Sequence, residues 1–347
     1  MKLIGVIGVV LTYISTLSAQ ILNSSENQNM ELIGKQIGLG TEKGDFAIQC
    51  DPNLESICEP FDGILLDAYG VFWGGNDVGL LPGCKTTMER LVAKGKIIGI
   101  LSNSTQLAKT EIEKLKNHGL TQGKHFHFFI TSGTVAKQIF LTDTLPFPTP
   151  NKKFYLFGMP HPKFSSHQAI FQDTLYQASN DLESADFIYI SIPHIDGKDQ
   201  TDPLLFKSYI EAFKEVKLPM ICTNPDRFAH EGNPPRAVVR QGSIATMHEE
   251  QGGQVLYIGK PSDKMYSAAM QSFQDFGISN PKKVLMVGDT PETDIQGARN
   301  YGMHSALIIK TGIMADRIVH QGLERAFQDL SPIDFPDFFI EYMGKSE

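Results

Sequence analysis

The sequence has few cysteines, a single tryptophan and no run of basic residues. Four cysteines among 347 residues cannot build a disulfide scaffold, and none stands in a CxxC pair, which argues against structural zinc. Positive charge is in deficit. With 31 Lys and Arg against 39 Asp and Glu, the net charge is −8, so neither nucleic acid nor an anionic membrane surface is an expected partner. No internal repeat or low-complexity tract is present. Outside one N-terminal segment, no stretch approaches the ~20 apolar residues of a spanning helix, so no stable membrane span is expected. What is left is ordinary globular material, 41% hydrophobic and 20% charged, over a length that suggests about two domains.

The N-terminal exception lies in residues 1–19. Lys2 precedes a mostly apolar stretch from Leu3 to Leu17, and Ser18-Ala19-Gln20 follows, which is the pattern of a secretory signal peptide. On that reading the protein is exported (periplasmic or secreted). If Met30 instead opens the protein, it is cytoplasmic. Residues 20–58 are polar and weakly periodic, as in a linker or N-terminal extension. Export would allow a local Cys50–Cys58 disulfide, although free thiols fit the sequence equally.

From residue 61 onward, short apolar runs alternate with helix-length amphipathic segments. The runs at 63–69, 96–103, 126–131, 153–158, 186–192, 219–224, 255–259, 284–289 and 304–309 are continuous rather than alternating. Strands of that kind are covered on both faces, as in a parallel sheet flanked by helices. Residues 84–95, 106–119 and 264–277 read as helices, each closing near a glycine. The expected fold class is therefore α/β, a doubly wound three-layer α/β/α core around a parallel sheet. Ser102 and Lys260 are separated by far more chain than one crossover needs, so an α/β cap is expected as an insertion. We place the core at 59–145 and 251–347 and the cap at 146–250.

Polar residues cluster where apolar runs end. Asp67 closes Ile64-Leu65-Leu66-Asp67, Ser102 and Asn103 close the next run, Lys260 follows Gly259, and Asp289 follows Gly288, with Asp294 five residues on. Ligands of open parallel sheets bind outside the carboxyl ends of the strands, so these stretches can meet in one crevice. Singly, each has a plain explanation. Thr290-Pro291 is a good helix N-cap with proline in the first turn. Ser102-Asn103 and Asn224-Pro225-Asp226 read as turns, and Lys260 as a solvated lysine.

Together, in this order, the four stretches resemble motifs one to four of the haloacid dehalogenase superfamily. The resemblance covers about residues 60–315, and GDTPETDIQGA is its most specific segment. It implies a hydrolase of small phosphorylated metabolites, dependent on Mg²⁺ and working through an aspartyl-phosphate on Asp67. By the same resemblance the metal ligands are Asp67, the backbone carbonyl of Tyr69 and Asp289, with Asp294 acting through water or by orienting its neighbours. Ser102 and Asn103 would hold the phosphoryl oxygens, and Lys260 would offset charge on the nucleophile. Cys222-Thr223-Asn224-Pro225-Asp226 resembles a stretch of the class IIA branch, the group of nucleotide- and pyridoxal-phosphate-type phosphatases. That implies substrate contacts from Asn224, Asp226 and Arg227, with His230, Arg236 and Arg240 nearby. A homo-oligomer is compatible with this branch.

Position 69 departs from the pattern. Phosphatases of this superfamily usually carry there a second aspartate that protonates the leaving group, and general acid–base help is worth about 10²–10⁴ in rate. A tyrosine predicts slow turnover, or restriction to good leaving groups. Asp-Ala-Tyr-Gly also resembles the nucleophile motif of metal-free 2-haloacid dehalogenases, but such a site has no use for Asp289 and Asp294. A catalytically silent binding protein on the same fold is the third reading.

Overall fold

A computed structural model describes residues 37–39, 46–48, 50–76, 78–158, 165–231 and 236–344. The expected signal segment, residues 1–19, lies outside the described residues. Among the described residues no helix is long and apolar enough to cross a membrane.

The core is a seven-stranded, wholly parallel sheet. Its strands run in the order Asp51–Asn53, Phe338–Tyr342, His304–Ile308, Val284–Gly288, Gly63–Leu66, Ile97–Ser102 and Phe128–Thr131. Continuous apolar runs form it because both faces are covered. Ile64, Leu66, Ile98 and Ile100 pack on one side with Met88 and Leu91 of the helix Cys84–Ala93. Leu65, Leu101 and Met286 pack on the other, with Met265, Ala269 and Phe273 of the helix Asp263–Gln274. Each fully buried side chain of this kind contributes roughly 1.5–3 kcal/mol relative to exposure.

The cap holds a second parallel sheet, in the order Val255–Tyr257, Met220–Cys222, Phe187–Ile190, Lys153–Phe157 and Gln177–Ser179. Its two faces also alternate. Phe154, Phe187, Tyr189 and Ile221 pack with Phe140 and Phe171, while Ile188, Ile190 and Met220 pack with Phe206, Ile210 and Phe213. A short antiparallel hairpin, Phe228–Glu231 with Arg236–Val239, follows the strand Met220–Cys222.

Two boundaries drawn from the sequence move. Val255–Tyr257 pairs with Met220–Cys222, so the cap runs past residue 250 to the threshold of Lys260. Asp51–Asn53 pairs with Phe338–Tyr342 at the sheet edge, so the core begins inside the segment expected to be a linker. Cys50 and Cys58 are free thiols. Cys50 packs beside the cluster containing Ile295 and Leu307, Cys58 within the one containing Ile64 and Leu66, so the two sulfurs serve separate apolar clusters.

Candidate active site

Parallel neighbours deliver their carboxyl ends to one place. Gly63–Leu66 lies between Val284–Gly288 and Ile97–Ser102. Asp67, Asp289 and Ser102 therefore stand side by side, and the Asp67 backbone is fixed by its N–H donating to the Val287 carbonyl at 2.9 Å. Asp67, Asp289 and Asp294 each bring a carboxylate oxygen within 4.8 Å of the others. Lys260 is buried among them, its Nζ 2.6 Å from Asp67 Oδ1 and 2.7 Å from Asp294 Oδ1.

The loops leave no room for larger residues. Gly70 and Gly312 have φ of +75° and +70°, and a Cβ on either would lie 2.2 Å or 1.9 Å from Asp289 Oδ2. Glycine is needed both for the left-handed backbone and for the approach. The Ile313 N–H donates to Asp289 Oδ2 at 2.7 Å, and the Thr290 hydroxyl donates to Asp289 Oδ1 at 3.0 Å. Thr290 precedes the turn Pro291–Ile295 as expected of a cap, but its hydroxyl does not cap it. Asp294 Oδ2 instead accepts the Asp289 and Thr290 N–H groups, at 3.2 and 3.1 Å. With Oδ1 on Lys260, both carboxylate oxygens of Asp294 have partners.

Electrostatics bear on what the site holds. Burial raises the Asp67 carboxyl above its ordinary range despite the Lys260 ammonium. Asp289 is pushed well above it, first by burial and then by the charges of Asp67 and Asp294. Burial also takes Asp294 up to about 6. Although burial opposes charge on Lys260, Asp294 and Asp67 hold its ammonium above the usual lysine range. Three carboxylates and one ammonium leave two negative charges uncompensated in a buried space. Oxygen-only donors with that deficit suit a hard divalent cation such as Mg²⁺.

The remaining expected residues divide. Ser102 is buried, and its hydroxyl accepts the Ser104 N–H at 3.2 Å. Asn103 joins core to cap: its Oδ1 accepts the Lys260 N–H at 2.6 Å and its Nδ2 donates to Asp226 Oδ1 at 2.9 Å. Asn224 Oδ1 accepts the Asp226 N–H at 3.0 Å, which confirms the turn without excluding a place beside the site. Arg227 is exposed and lines the cleft, whereas Arg240 is buried and paired with Asp199 at 3.0 Å. Arg236 is exposed, and the side chain of His230 lies outside the described residues.

The Tyr69 side chain is 45% exposed at the rim, and its hydroxyl accepts from Lys114 Nζ at 3.2 Å. Lys114 is also paired with Glu111 at 3.0 Å, stands over the Tyr69 and Trp73 rings, and its partner Glu111 accepts from Ser104. Sequence reasoning missed Lys114, which looks like any charge on an amphipathic helix. The steric need for glycine at Gly70 and Gly312 was not visible in the sequence, because Asp289 meets both only in the fold. The whole group opens into a cleft of about 1550 Å³ between core and cap.

Residues 64–169 match the family of haloacid dehalogenase-like hydrolases, and residues 257–329 match a second HAD-hydrolase-like family. The chain is 25% identical to the 4-nitrophenylphosphatase of Schizosaccharomyces pombe over 322 residues, covering 83% of this chain and 93% of the relative. It is 27% identical to chronophin of Rattus norvegicus over 305 residues, covering 84% and 89%. In fold it is similar to a haloacid dehalogenase-like hydrolase from Brucella suis, with a TM-score of 0.68, 21% identity and coverage of 84% and 99%. It is likewise similar to the 4-nitrophenylphosphatase of Thermotoga maritima, with a TM-score of 0.57, 23% identity and coverage of 82% and 95%. Both stretches of the core that flank the inserted α/β cap are thus similar to haloacid dehalogenase-like hydrolases, and the fold of the whole is similar to theirs.

Proposed function

We propose that the protein is a phosphatase acting on small phosphorylated metabolites, with Asp67 as the nucleophile. The observation that carries this reading is the buried group Asp67–Asp289–Asp294 with Lys260 at 2.6 Å from the nucleophile. A phosphate monoester is doubly negative, and a carboxylate can approach it only where positive charge offsets the repulsion. Asp67 and Asp289, with the Tyr69 carbonyl on the adjoining loop, would hold Mg²⁺. When bound, the ion neutralises charge on the nucleophile and on the phosphoryl oxygens.

Asp67 then attacks phosphorus, the ester oxygen departs, and an aspartyl-phosphate remains until water cleaves it. Lys260 balances charge on Asp67 throughout, and Ser102 stands beside it to donate to a phosphoryl oxygen. The cap screens substrates by size and reduces water in the cleft. Names of relatives such as 4-nitrophenylphosphatase support the substrate class. Position 69 itself offers no carboxyl proton to the departing oxygen. A metal-free dehalogenase would gain nothing from Asp289 and Asp294, whose mutual repulsion it would have to absorb.

The test is hydrolysis of p-nitrophenyl phosphate with Mg²⁺ and with chelator, by the protein and by Asp67→Asn. Mg²⁺-dependent turnover that Asp67→Asn abolishes is expected. Full activity in the variant removes the mechanism, chelator-insensitive halide release from 2-haloacids supports the dehalogenase, and no turnover across a phosphate-ester panel supports a binding protein.

A further inference from the structure

With tyrosine at position 69, the leaving oxygen lacks the donor that this chemistry ordinarily uses. We propose that Asp226, reaching in from the cap, supplies that proton. The proposal rests on the phosphatase reading above and assigns one further catalytic residue to the same site.

Several observations converge on Asp226. It lines the cleft at the end of the turn that follows the cap strand Met220–Cys222. That turn is seated directly on the catalytic loop. A Cβ on Gly259, the residue before Lys260, would lie 2.3 Å from the Pro225 ring, and one on Gly242 would lie 2.0 Å from the Pro225 carbonyl oxygen. The Asp226 backbone is pinned at both ends, its N–H on Asn224 Oδ1 and its carbonyl accepting the Gly242 N–H at 3.1 Å. The side chain is then aimed by Asn103, whose amide spans from Asp226 Oδ1 at 2.9 Å to the Lys260 N–H at 2.6 Å. One hydrogen-bonding side chain thus separates Asp226 from the backbone of the lysine that touches the nucleophile.

Its side-chain partner differs from those of three glutamates along the cleft. Glu111 is paired with Lys114 and Glu292 with Arg317, while Glu249 accepts from the Tyr257 hydroxyl. Asp226 has a neutral amide as its side-chain partner, and burial raises it above the ordinary range although both Lys260 and the Asn103 amide oppose that rise. A carboxyl whose protonated form is favoured is suited to donate its proton. Asn103 occupies Oδ1, so Oδ2 carries the proton.

The balance is complete. As the bond from Asp67 to phosphorus forms and the phosphorus–ester oxygen bond breaks, the Asp226 proton passes to the departing oxygen, giving an alcohol and the Asp226 carboxylate. In the second step water attacks the aspartyl-phosphate and gives its proton to Asp226. The Asp67–phosphorus bond breaks, and inorganic phosphate leaves. Donor and base are restored without any further reactant.

The experiment compares p-nitrophenyl phosphate, phenyl phosphate and an alkyl phosphate with the full chain in Mg²⁺, reading kcat/KM, which reports the step in which the ester oxygen leaves. Asp226→Asn keeps an acceptor for the Asn103 amide and removes only the proton. We expect it to lower kcat/KM on the alkyl ester by about 10²-fold or more and on p-nitrophenyl phosphate by severalfold at most. Equal losses on both would show a positioning role and overturn the proposal. The unmodified protein gives a second measure that depends on no variant: a shallow fall of kcat/KM with rising leaving-group pKa supports the donor, and a steep one removes it. Absence of any turnover of p-nitrophenyl phosphate would sink the phosphatase reading itself, whereas turnover with equal losses would leave that reading standing.

Discussion

Lys260 Nζ lies 2.6 Å from Asp67 Oδ1, and both groups are buried. In such surroundings removing one partner leaves the other as an uncompensated buried charge, which typically costs about 3–5 kcal/mol. Lys260→Met is therefore expected to lower the melting temperature by several degrees and to cut turnover of p-nitrophenyl phosphate about 10³-fold. Thermal unfolding and steady-state rates measured on one preparation check both effects. A variant with normal turnover would mean that the lysine serves the fold alone.

The acid cluster predicts a pH dependence with a definite sign. Burial and mutual repulsion raise the carboxyls of Asp67, Asp289 and Asp294, the last to about 6. The folded protein thus binds these protons more tightly than the unfolded chain, whose aspartates titrate near 4. Their contribution is full below about pH 4 and is lost as pH rises through their raised pKa values, for Asp294 about 6. In chelator, stability should fall between pH 5 and pH 8 from this group. Added Mg²⁺ should raise the melting temperature more at pH 8 than at pH 5. An equal rise at both values would contradict the assignment.

Thr290 separates two explanations of the same segment. A hydroxyl capping a helix is worth about 1 kcal/mol of stability. Here it donates to Asp289 Oδ1, and groups that orient a metal ligand typically change affinity about 10- to 100-fold. Thr290→Val should leave the melting temperature nearly unchanged and raise the Mg²⁺ concentration needed for half-maximal activity about tenfold. Calorimetry together with a Mg²⁺ titration would settle it.

Gly312 offers a steric test. With φ at +70° and a Cβ position 1.9 Å from Asp289 Oδ2, Gly312→Ala brings both backbone strain and a clash with a buried carboxylate. A loss of about 1–3 kcal/mol is expected, along with impaired Mg²⁺-dependent activity as Asp289 is displaced. Gly322→Ala is the control. Its φ is +83°, and nothing lies within 4 Å of the point where the alanine methyl would stand, so it should show the strain without the loss of activity.

Much of this was legible in the sequence because strands covered on both faces must be apolar throughout. Runs such as Ile64-Leu65-Leu66 and Val284-Leu285-Met286-Val287 announce themselves, and so do the polar residues at their ends. The edge strands did not. Asp51–Asn53 and Gln177–Ser179 are short and partly exposed, and nothing in their composition separates them from loop. Val255–Tyr257 was visible as a strand but not as a cap strand, because pairing with Met220–Cys222 is a long-range choice. The bond between Asn103 and Asp226 joins residues 123 positions apart, and no local pattern encodes it. The tyrosine at position 69 was obvious, whereas its hold by Lys114 required the helix Ala108–Asn117 to be docked against the rim.

The cap's last strand ends at Tyr257, and the chain reaches Lys260 immediately afterwards. The charge that faces Asp67 is thus carried at the junction of cap and core. Cap and nucleophile are joined there twice, along the chain from Tyr257 and across the Asn103 amide that links Asp226 to the Lys260 N–H.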